Sequence, residues 1–560
     1  MPQVTGGELV ARTLKQAGVT HVFAIHGGHL ETIFQGLVAH GISVVDGRDE
    51  AASGHAAEGY SRTRRTLGVA MATAGPGITN AITSIANAHL DRTPVLYLTA
   101  SAGLANVENN MVQAGIDNVA LTKSITKWAH QITKANDIPR LLAHAIRVAT
   151  SGPTGPVVLD FPIEVTFGVV DEDIAPIPAS IYVDSAPAPQ AHAVEETIRL
   201  LTGAKRPVIM AGEGAWQSGT SKELRSFAEA TGIPVFAHYQ SQGLLPDDHP
   251  LYGGSFFKMA GLNEPGNRPD VILALGTRFG VYTLGSTDRL IPADAKVIHA
   301  EVDPVEIGRL RRVDVPIIAD SKEVLSALNA SLARRTAATP DLRAWQKTIQ
   351  NTRARHSDRA NSLLAHRDES AQIHPYQAAK AIVDSLADDA ILIGDGAEAH
   401  QWVAEAARPQ HPDSYFTHGH LACLGFGLGF AVGAQSAYPS RQVLLVTGDG
   451  GVGFTIAEFD TMARHGLPIV VVVMNNRVWG ATRHFQEIFS PGRYVATELA
   501  NTRYDEVAAA FGCRGQLVTK ISELKPAIQA AFSSGKPTCI NVLVEFSAMP
   551  PDAELLMSAF

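Results

Sequence analysis

Apolar residues along this chain fall in short consecutive blocks rather than in strict alternation. Blocks of strand length include Val95–Thr99, Val157–Phe161, Val208–Ala211, Val271–Leu275, Val297–Val302, Ile391–Ile393, Val443–Val446, Ile469–Met474 and Ile540–Val544. They are rich in β-branched residues and continuously apolar, as strands buried on both faces of a parallel sheet require. Glycine or polar turn residues follow each block, and then stretches with helical spacing such as Glu8–Ala17 and Glu195–Leu201. This alternation predicts βαβ units wound into α/β domains with doubly wound parallel sheets. Two stretches break the rhythm: Ile174–Ala191, and Thr336–Thr339 with the polar helix-like run after it to Arg367. Read as linkers, they divide the chain into domains at 1–175, 190–335 and 370–545, with a tail at 546–560.

Composition agrees with a globular, multidomain chain. At 560 residues, the length suits two to four domains, and 45% hydrophobic content leaves ample material for their cores. The net charge of −9 argues against a broad nucleic-acid or anionic-membrane surface. Cys423, Cys513 and Cys539 are odd in number and form no CxxC pair, so a reducing compartment is expected. The start MPQVTGGEL has no secretory n-region or h-region, and no apolar run approaches the ~18 residues of a spanning helix. These features predict a soluble, cytoplasmic protein with neither nucleic acid nor membrane as a partner.

The strongest chemical signal is Gly448-Asp449-Gly450-Gly451 at the end of the strand Val443–Val446, followed by a helix and by the strand Leu467–Met474, which ends at Asn475-Asn476. Ligands of open α/β sheets bind at the carboxyl ends of strands. Flanking glycines let backbone amides approach a phosphate. A carboxylate and an amide oxygen brought side by side there offer hard ligands to Mg²⁺. This spacing, with Asn476 27 positions after Asp449, resembles the GDG…NN motif of the thiamine-diphosphate-dependent enzymes. A second match follows in the first domain. The strand His21–Ile25 runs into His26-Gly27-Gly28-His29, and Ile42–Val45 into Asp46-Gly47-Arg48-Asp49-Glu50, ahead of Thr73-Ala74-Gly75-Pro76-Gly77 and Asn80.

The resemblance implies three α/β domains: pyrimidine-binding, central and diphosphate-binding. It implies thiamine diphosphate and Mg²⁺ as cofactors, with Asp449, Asn476 and the Val478 carbonyl as metal ligands. Glu50 would bond the aminopyrimidine and so activate the cofactor. Leu424 would hold the cofactor bent, and Thr73, Gly396, Ala397, Ala422, Gly450, Gly451, Trp479, Gly480 and Ala481 would complete its binding site. In the family the pyrimidine domain of one subunit faces the diphosphate domain of another, which implies a dimer or a tetramer.

Within the family, dispersed segments look most like the benzaldehyde lyases, with the 2-hydroxyacyl-CoA lyases next. They include TGGELV, GHAAEGYSR, NAHLDRTPVLYLT, Gln113-Ala114-Gly115-Ile116-Asp117, ITKWAH, MNN…WGAT…HFQ and MPPDAEL. That likeness implies His29 as a proton relay and Gln113 as a partner for a substrate hydroxyl. Gly28, Ile163 and His400 depart from the benzaldehyde-lyase pattern of alanine, tryptophan and tyrosine, which predicts a roomier or more polar pocket. Glu487 stands where that group carries an amide and near where the acyl-CoA lyases place a catalytic glutamate. The resulting expectation is a C–C lyase and carboligase that cleaves 2-hydroxy ketones to aldehydes and runs in reverse. Three alternatives remain: a 2-hydroxyacyl-CoA lyase releasing formyl-CoA, an acetolactate-synthase-like enzyme, and a non-catalytic scaffold of the same fold. The acetolactate synthases share a SITK-like stretch (Ser124–Lys127) and a glutamine, but AGID replaces their usual following residues. The middle domain, around Leu275-Gly276-Thr277-Arg278, shows no glycine-rich phosphate fingerprint and is read as structural, with FAD not expected and CoA left open.

Overall fold

The computed structural model describes residues 3–109, 111–264, 266–285, 287–335, 340–364, 367, 371–547 and 549–557. Eighteen of the strands among these residues build three six-stranded sheets, every pairing of which is parallel. In the first, β2 (His21–Ala24), β3 (Ser43–Asp46), β4 (Gly68–Ala72), β5 (Val95–Ser101), β6 (Trp128–Gln131) and β7 (Val157–Pro162) lie in the order β3-β2-β4-β5-β7-β6. A short antiparallel ribbon of β1 (Gln3–Thr5) and β8 (Val169–Asp171) ties the two ends of this domain together. The central sheet joins β9 (Pro207–Ala211), β10 (Val235–Ala237), β11 (Tyr252–Ser255), β12 (Val271–Leu275), β13 (Lys296–Glu301) and β14 (Val315–Ile318) as β11-β10-β9-β12-β13-β14. The third holds β15 (Ile391–Gly394), β16 (Tyr415–Thr417), β17 (Val443–Gly448), β18 (Val470–Asn475), β19 (Arg514–Val518) and β20 (Thr538–Leu543) as β16-β15-β17-β18-β20-β19.

Strand order fixes where ligands can bind. In the first sheet the winding reverses between β2 and β4, and in the third between β15 and β17. At such a switch point the loops leaving adjacent strands diverge to opposite faces and open a crevice at the carboxyl ends. The crevices open at His26–His29 with Thr73–Gly77, and at Asp395–Ala397 with Asp449–Gly451. Apart from Asp395, these residues fall in segments that the sequence analysis singles out.

Two helices of small residues join the outer domains. The helix Glu50–Arg64 starts where the Asp49 side chain accepts a hydrogen bond of 2.9 Å from the Ala52 amide, an N-cap. It packs on the helix Gly427–Ala437 at backbone distance. A Cβ on Gly433 would lie 1.9 Å from the Ala56 carbonyl oxygen, and one on Gly59 2.2 Å from that of Phe430. The close approach anchors Glu50 relative to the third sheet.

The stretch Ile174–Gln190 is irregular apart from one 3₁₀ turn at its start. Thr336–Thr339 lie outside the described residues. The polar run after them is a helix, Arg343–Ser362, that docks on the central domain: Trp345 donates to the Pro207 carbonyl at 2.9 Å and packs among Val208, Phe236 and Val297. Within the tail, the helix Pro551–Met557 docks on that domain too, where Asp552 accepts from Tyr239 Oη at 2.6 Å and pairs with Lys258 at 3.2 Å. No helix among the described residues is long and apolar enough to cross a membrane.

Candidate active site

On the third sheet, Asp449 follows the last residue of β17, and Asn476 follows the last residue of β18, the neighbouring strand. The Asp449 carboxylate accepts from the Arg477 amide at 2.7 Å and the Gly450 amide at 3.1 Å, and the Asn476 amide oxygen accepts from the Val478 amide at 3.2 Å. Burial pushes the Asp449 carboxyl up to about 6, against the opposing pull of those amides. Arg477, between Asn476 and Val478, is held at φ 63°, a costly conformation for a residue with a side chain. The donor set is one carboxylate, one amide oxygen and one backbone carbonyl. Among the described residues no cluster of three His, Cys, Asp or Glu side chains could enclose a metal. A cation here would therefore need further oxygens from a ligand, as Mg²⁺ takes them from phosphates.

Around these residues is a pocket of about 600 Å³, its open mouth included, lined by Gly396, Ala397, Leu424, Gly448–Gly451, Asn476, Val478, Trp479, Gly480 and Ala481. A Cβ on Gly448 would enter open space, and one on Gly450 would meet the Trp479 ring at 2.4 Å. The floor is thus bare backbone, as a diphosphate cradle needs. Asp395, fully buried, accepts from the amides of Gly396, Gly425 and Gly427 and so holds the loop behind Leu424. Ala422, in that loop but not in the pocket wall, sits at φ 53°.

The residues singled out in the first domain gather at the other crevice. Glu50 Oε2 accepts from Asn80 at 3.0 Å, while its Oε1 lies 3.6 Å from where a Cβ on Gly77 would be. Thr73 Oγ1 is buried there without a hydrogen-bond partner. Gln113, at φ 63°, folds over Gly75, whose added Cβ would meet its Cγ at 2.9 Å. Thr166 Oγ1 donates to the carbonyls of His29 and Ile163 at 3.2 and 3.0 Å, pinning the turn Gly28–Leu30 to the helix Ile163–Phe167. His29 is half-buried, and a Cβ on Gly28 would meet nothing within 4 Å.

His400 does not line the diphosphate-side pocket. It is buried, its Nδ1–H donates to the Gly396 carbonyl, and its ring packs edge-on against His418 at 4.2 Å. Burial and His418 pull its pKa well down, so it stays neutral. Glu487 is half-exposed on the helix Gly480–Phe489, 3.3 Å from His484, and also lies outside the pocket lining. Sequence reading missed Asp395, Arg477, Glu398 and His484. Glu398 and His484 lie 86 residues apart and meet only through the fold, and the φ of Arg477 leaves no mark on composition.

None of the residues lining the diphosphate-side pocket comes from the first domain. Glu50, His29 and Gln113 therefore lie outside that pocket, about the crevice of the first domain. In the central domain the equivalent switch point, where Gly212 and Gly214 lie against Gly276, borders a cavity of about 1160 Å³, its open mouth included, lined by Glu213, Gly276, Arg278 and Glu301 among others. Of the charges beside it, Arg278 is paired with Glu213 at 2.6 Å and Arg92 with Glu301 and Asp303 at 3.1 and 2.8 Å.

Family comparisons divide the chain in the same way. The thiamine pyrophosphate enzyme N-terminal TPP binding domain matches residues 4–121, the central domain 194–328, and the C-terminal TPP binding domain 395–542. The chain belongs to the thiamine pyrophosphate enzymes. Among similar proteins of this family, the acetolactate synthase large subunit of Corynebacterium glutamicum is 32% identical over 97% of this chain and 87% of its own length. A probable acetolactate synthase of Mycobacterium bovis is 33% identical over 97% and 96%. A probable acetolactate synthase large subunit of Methanocaldococcus jannaschii is 30% identical over 98% and 94%. These relatives carry the name acetolactate synthase rather than benzaldehyde lyase or 2-hydroxyacyl-CoA lyase. The family expectation therefore stands, and the likeness within the family moves to the alternative stated for the acetolactate synthases.

Proposed function

We propose that this thiamine pyrophosphate enzyme is an acetolactate-synthase-like carboligase, which takes an acyl unit from a 2-oxo acid such as pyruvate, releases CO₂, and joins the unit to a second carbonyl compound. The observation that carries this reading is full-length similarity to acetolactate synthases over 97% of the chain, combined with both half-sites of the cofactor. When bound, thiamine diphosphate supplies a carbon nucleophile and an electron sink for the acyl carbon. Asp449, Asn476 and the Val478 carbonyl would hold Mg²⁺ against the diphosphate, on the bare backbone floor of Gly448–Gly451. Leu424 would press on the cofactor from the loop that Asp395 fixes. Glu50 would hold a proton at the pyrimidine ring. Because the two half-sites do not share a pocket within one chain, a working site takes Glu50, His29 and Gln113 from one copy and the metal ligands from another. A dimer is then the smallest active unit.

A second reading, reversible cleavage of 2-hydroxy ketones to aldehydes, draws on one observation. His29 stands on an open turn beside the empty space at Gly28, where its imidazole could take or return a substrate hydroxyl proton. Two substrates separate the readings. Purified protein loaded with cofactor and Mg²⁺ is given pyruvate alone or (R)-benzoin alone. CO₂ with acetolactate from pyruvate supports the first reading. Benzaldehyde from benzoin, with no CO₂ from pyruvate, replaces it with the second.

A further inference from the structure

The chain's three cysteines differ in their surroundings. Cys513 and Cys539 are buried, and burial pushes the Cys513 thiol up to about 12 and that of Cys539 well above its ordinary value. Cys423 is partly exposed, in the loop 419–425, directly before Leu424 of the pocket wall. Its Sγ lies 3.8 Å from His55 Nε2, on the helix Glu50–Arg64 of the first domain. The other ring nitrogen of His55 lies 3.5 Å from Glu58 Oε2, and Asn87 donates to that same oxygen at 2.8 Å. The side chains of His55 and Glu58 are almost wholly enclosed, 2% and 0% exposed. A thiol, an imidazole and a carboxylate thus follow one another, and an amide fixes the carboxylate.

Glu58 does not need His55 to balance its charge, because Arg62 Nη1 lies 3.8 Å from its Oε1. What His55 adds is a base at the sulfur. A thiol reacts as its thiolate, and an adjacent imidazole that takes the proton raises the thiolate fraction near neutral pH. The geometry points to Cys423 as a modification site: a thiol activated by His55 and Glu58, which hydroperoxides oxidise to the sulfenic acid. His55 Nε2 takes the thiol proton. The sulfur attacks the hydroxyl oxygen of the hydroperoxide, so that an S–O bond forms and the O–O bond breaks. The leaving oxygen takes the proton back from His55 and departs as water or an alcohol. Sulfur loses two electrons and the hydroperoxide gains them, and no other reactant is consumed. This chemistry is independent of the carboligase reaction.

The charges around His55 fit this role. Burial pulls the imidazole down, but its contacts with Cys423 and Glu58 outweigh burial and push it up to about 9. The other titratable groups about the cluster are Arg62 on the same helix, Asp91 at the end of the helix Pro76–Leu90, and Tyr97 on β5. Arg62 also lies 3.9 Å from Asp91, so its charge is divided between two carboxylates, and the cation beside the sulfur is the imidazolium.

The test uses full-length protein loaded with thiamine diphosphate and Mg²⁺, and the variants Cys423→Ser and His55→Gln. Brief iodoacetamide labelling, read site by site by mass spectrometry, should modify Cys423 and spare Cys513 and Cys539. The labelling rate against pH should have its midpoint below about 7.5, where an unperturbed thiol gives about 8.5, and His55→Gln should move it up by about one unit or more. With hydrogen peroxide as the probe, dimedone should trap a sulfenic acid at Cys423 in wild type and none there in Cys423→Ser. At pH 7, His55→Gln should form that adduct at least about fivefold more slowly. A wild-type midpoint near 8.5, or no dimedone adduct at Cys423, would overturn the assignment. So would equal rates in wild type and His55→Gln, which would leave His55 as a packing residue only. Where His55→Gln does not fold, the wild-type midpoint and the site of labelling decide by themselves.

Discussion

Asp449 and Glu50 are both carboxylates placed close to where a strand gives way to a helix, yet their surroundings give them different work. Asp449 is buried and accepts from the backbone amides of Arg477 and Gly450, surroundings that suit the metal-ligand role proposed for it. Replacing Asn476 by Ala would remove one of the three oxygen donors proposed for the metal. Calorimetry with thiamine diphosphate and Mg²⁺ should then show at least about a tenfold weaker affinity, as expected when a ligand to a divalent cation is lost. Glu50 is partly open and held by Asn80, ready to meet a ring nitrogen. Glu50→Gln keeps the shape but not the exchangeable proton, so kcat should fall by about 10²–10⁴-fold, measured at saturating cofactor. At this scale the sequence was informative where chemistry is local. Asp449 and Asn476 are legible because one βα unit separates them and glycines surround the acid. Gln113, Ala422 and Arg477 share a left-handed backbone that their residue types do not announce. Glu398 and His484 meet only across the fold.

Among the elements, the junction of the helices Glu50–Arg64 and Gly427–Ala437 carries the close packing. Gly433→Ala would drive a methyl into the Ala56 carbonyl, and the helices must separate to admit it. A destabilisation of about 1–3 kcal/mol is expected for such overpacking, read from denaturant unfolding. Glu458 makes a second tie, accepting from the Arg48 amide at 3.0 Å and from Thr461 at 2.6 Å. Burial pushes its carboxyl up to about 7, above the ordinary 4.5. Folding therefore favours the protonated form. The stability it contributes is complete below about 4.5 and is lost as pH rises through about 7. The difference in Tm between Glu458→Gln and wild type should thus grow in favour of the variant from pH 5 to pH 8; a constant difference would contradict the shift. Strand prediction from apolar blocks succeeded at the sheet centres and failed for two physical reasons. The short edge strands β6, β11 and β19 carry polar or glycine-rich sequence because one side lacks a neighbour. In β4, Gly-Val-Ala-Met-Ala uses small residues where helix Glu50–Arg64 packs closely, so no β-branched run marks it.

For the molecule as a whole, three sheets place two half-sites on one chain and close neither. The order of strands in each sheet follows from the βαβ rhythm only up to its reversals, and the sequence pattern does not say which strand lies beside which. Nor does it show that a pocket at β15 and β17 excludes the first domain. The central claim is that a complete site needs Glu50 from one copy and Asp449 from another. Co-expression of Glu50→Gln and Asp449→Ala chains under two affinity tags tests it directly. Each variant alone should be inactive. In mixed dimers purified through both tags, one of the two sites regains both residues, so activity should return to about half that of wild type per dimer. Mixed dimers as inactive as their parents would show that each chain builds its site from its own residues, and would contradict the account.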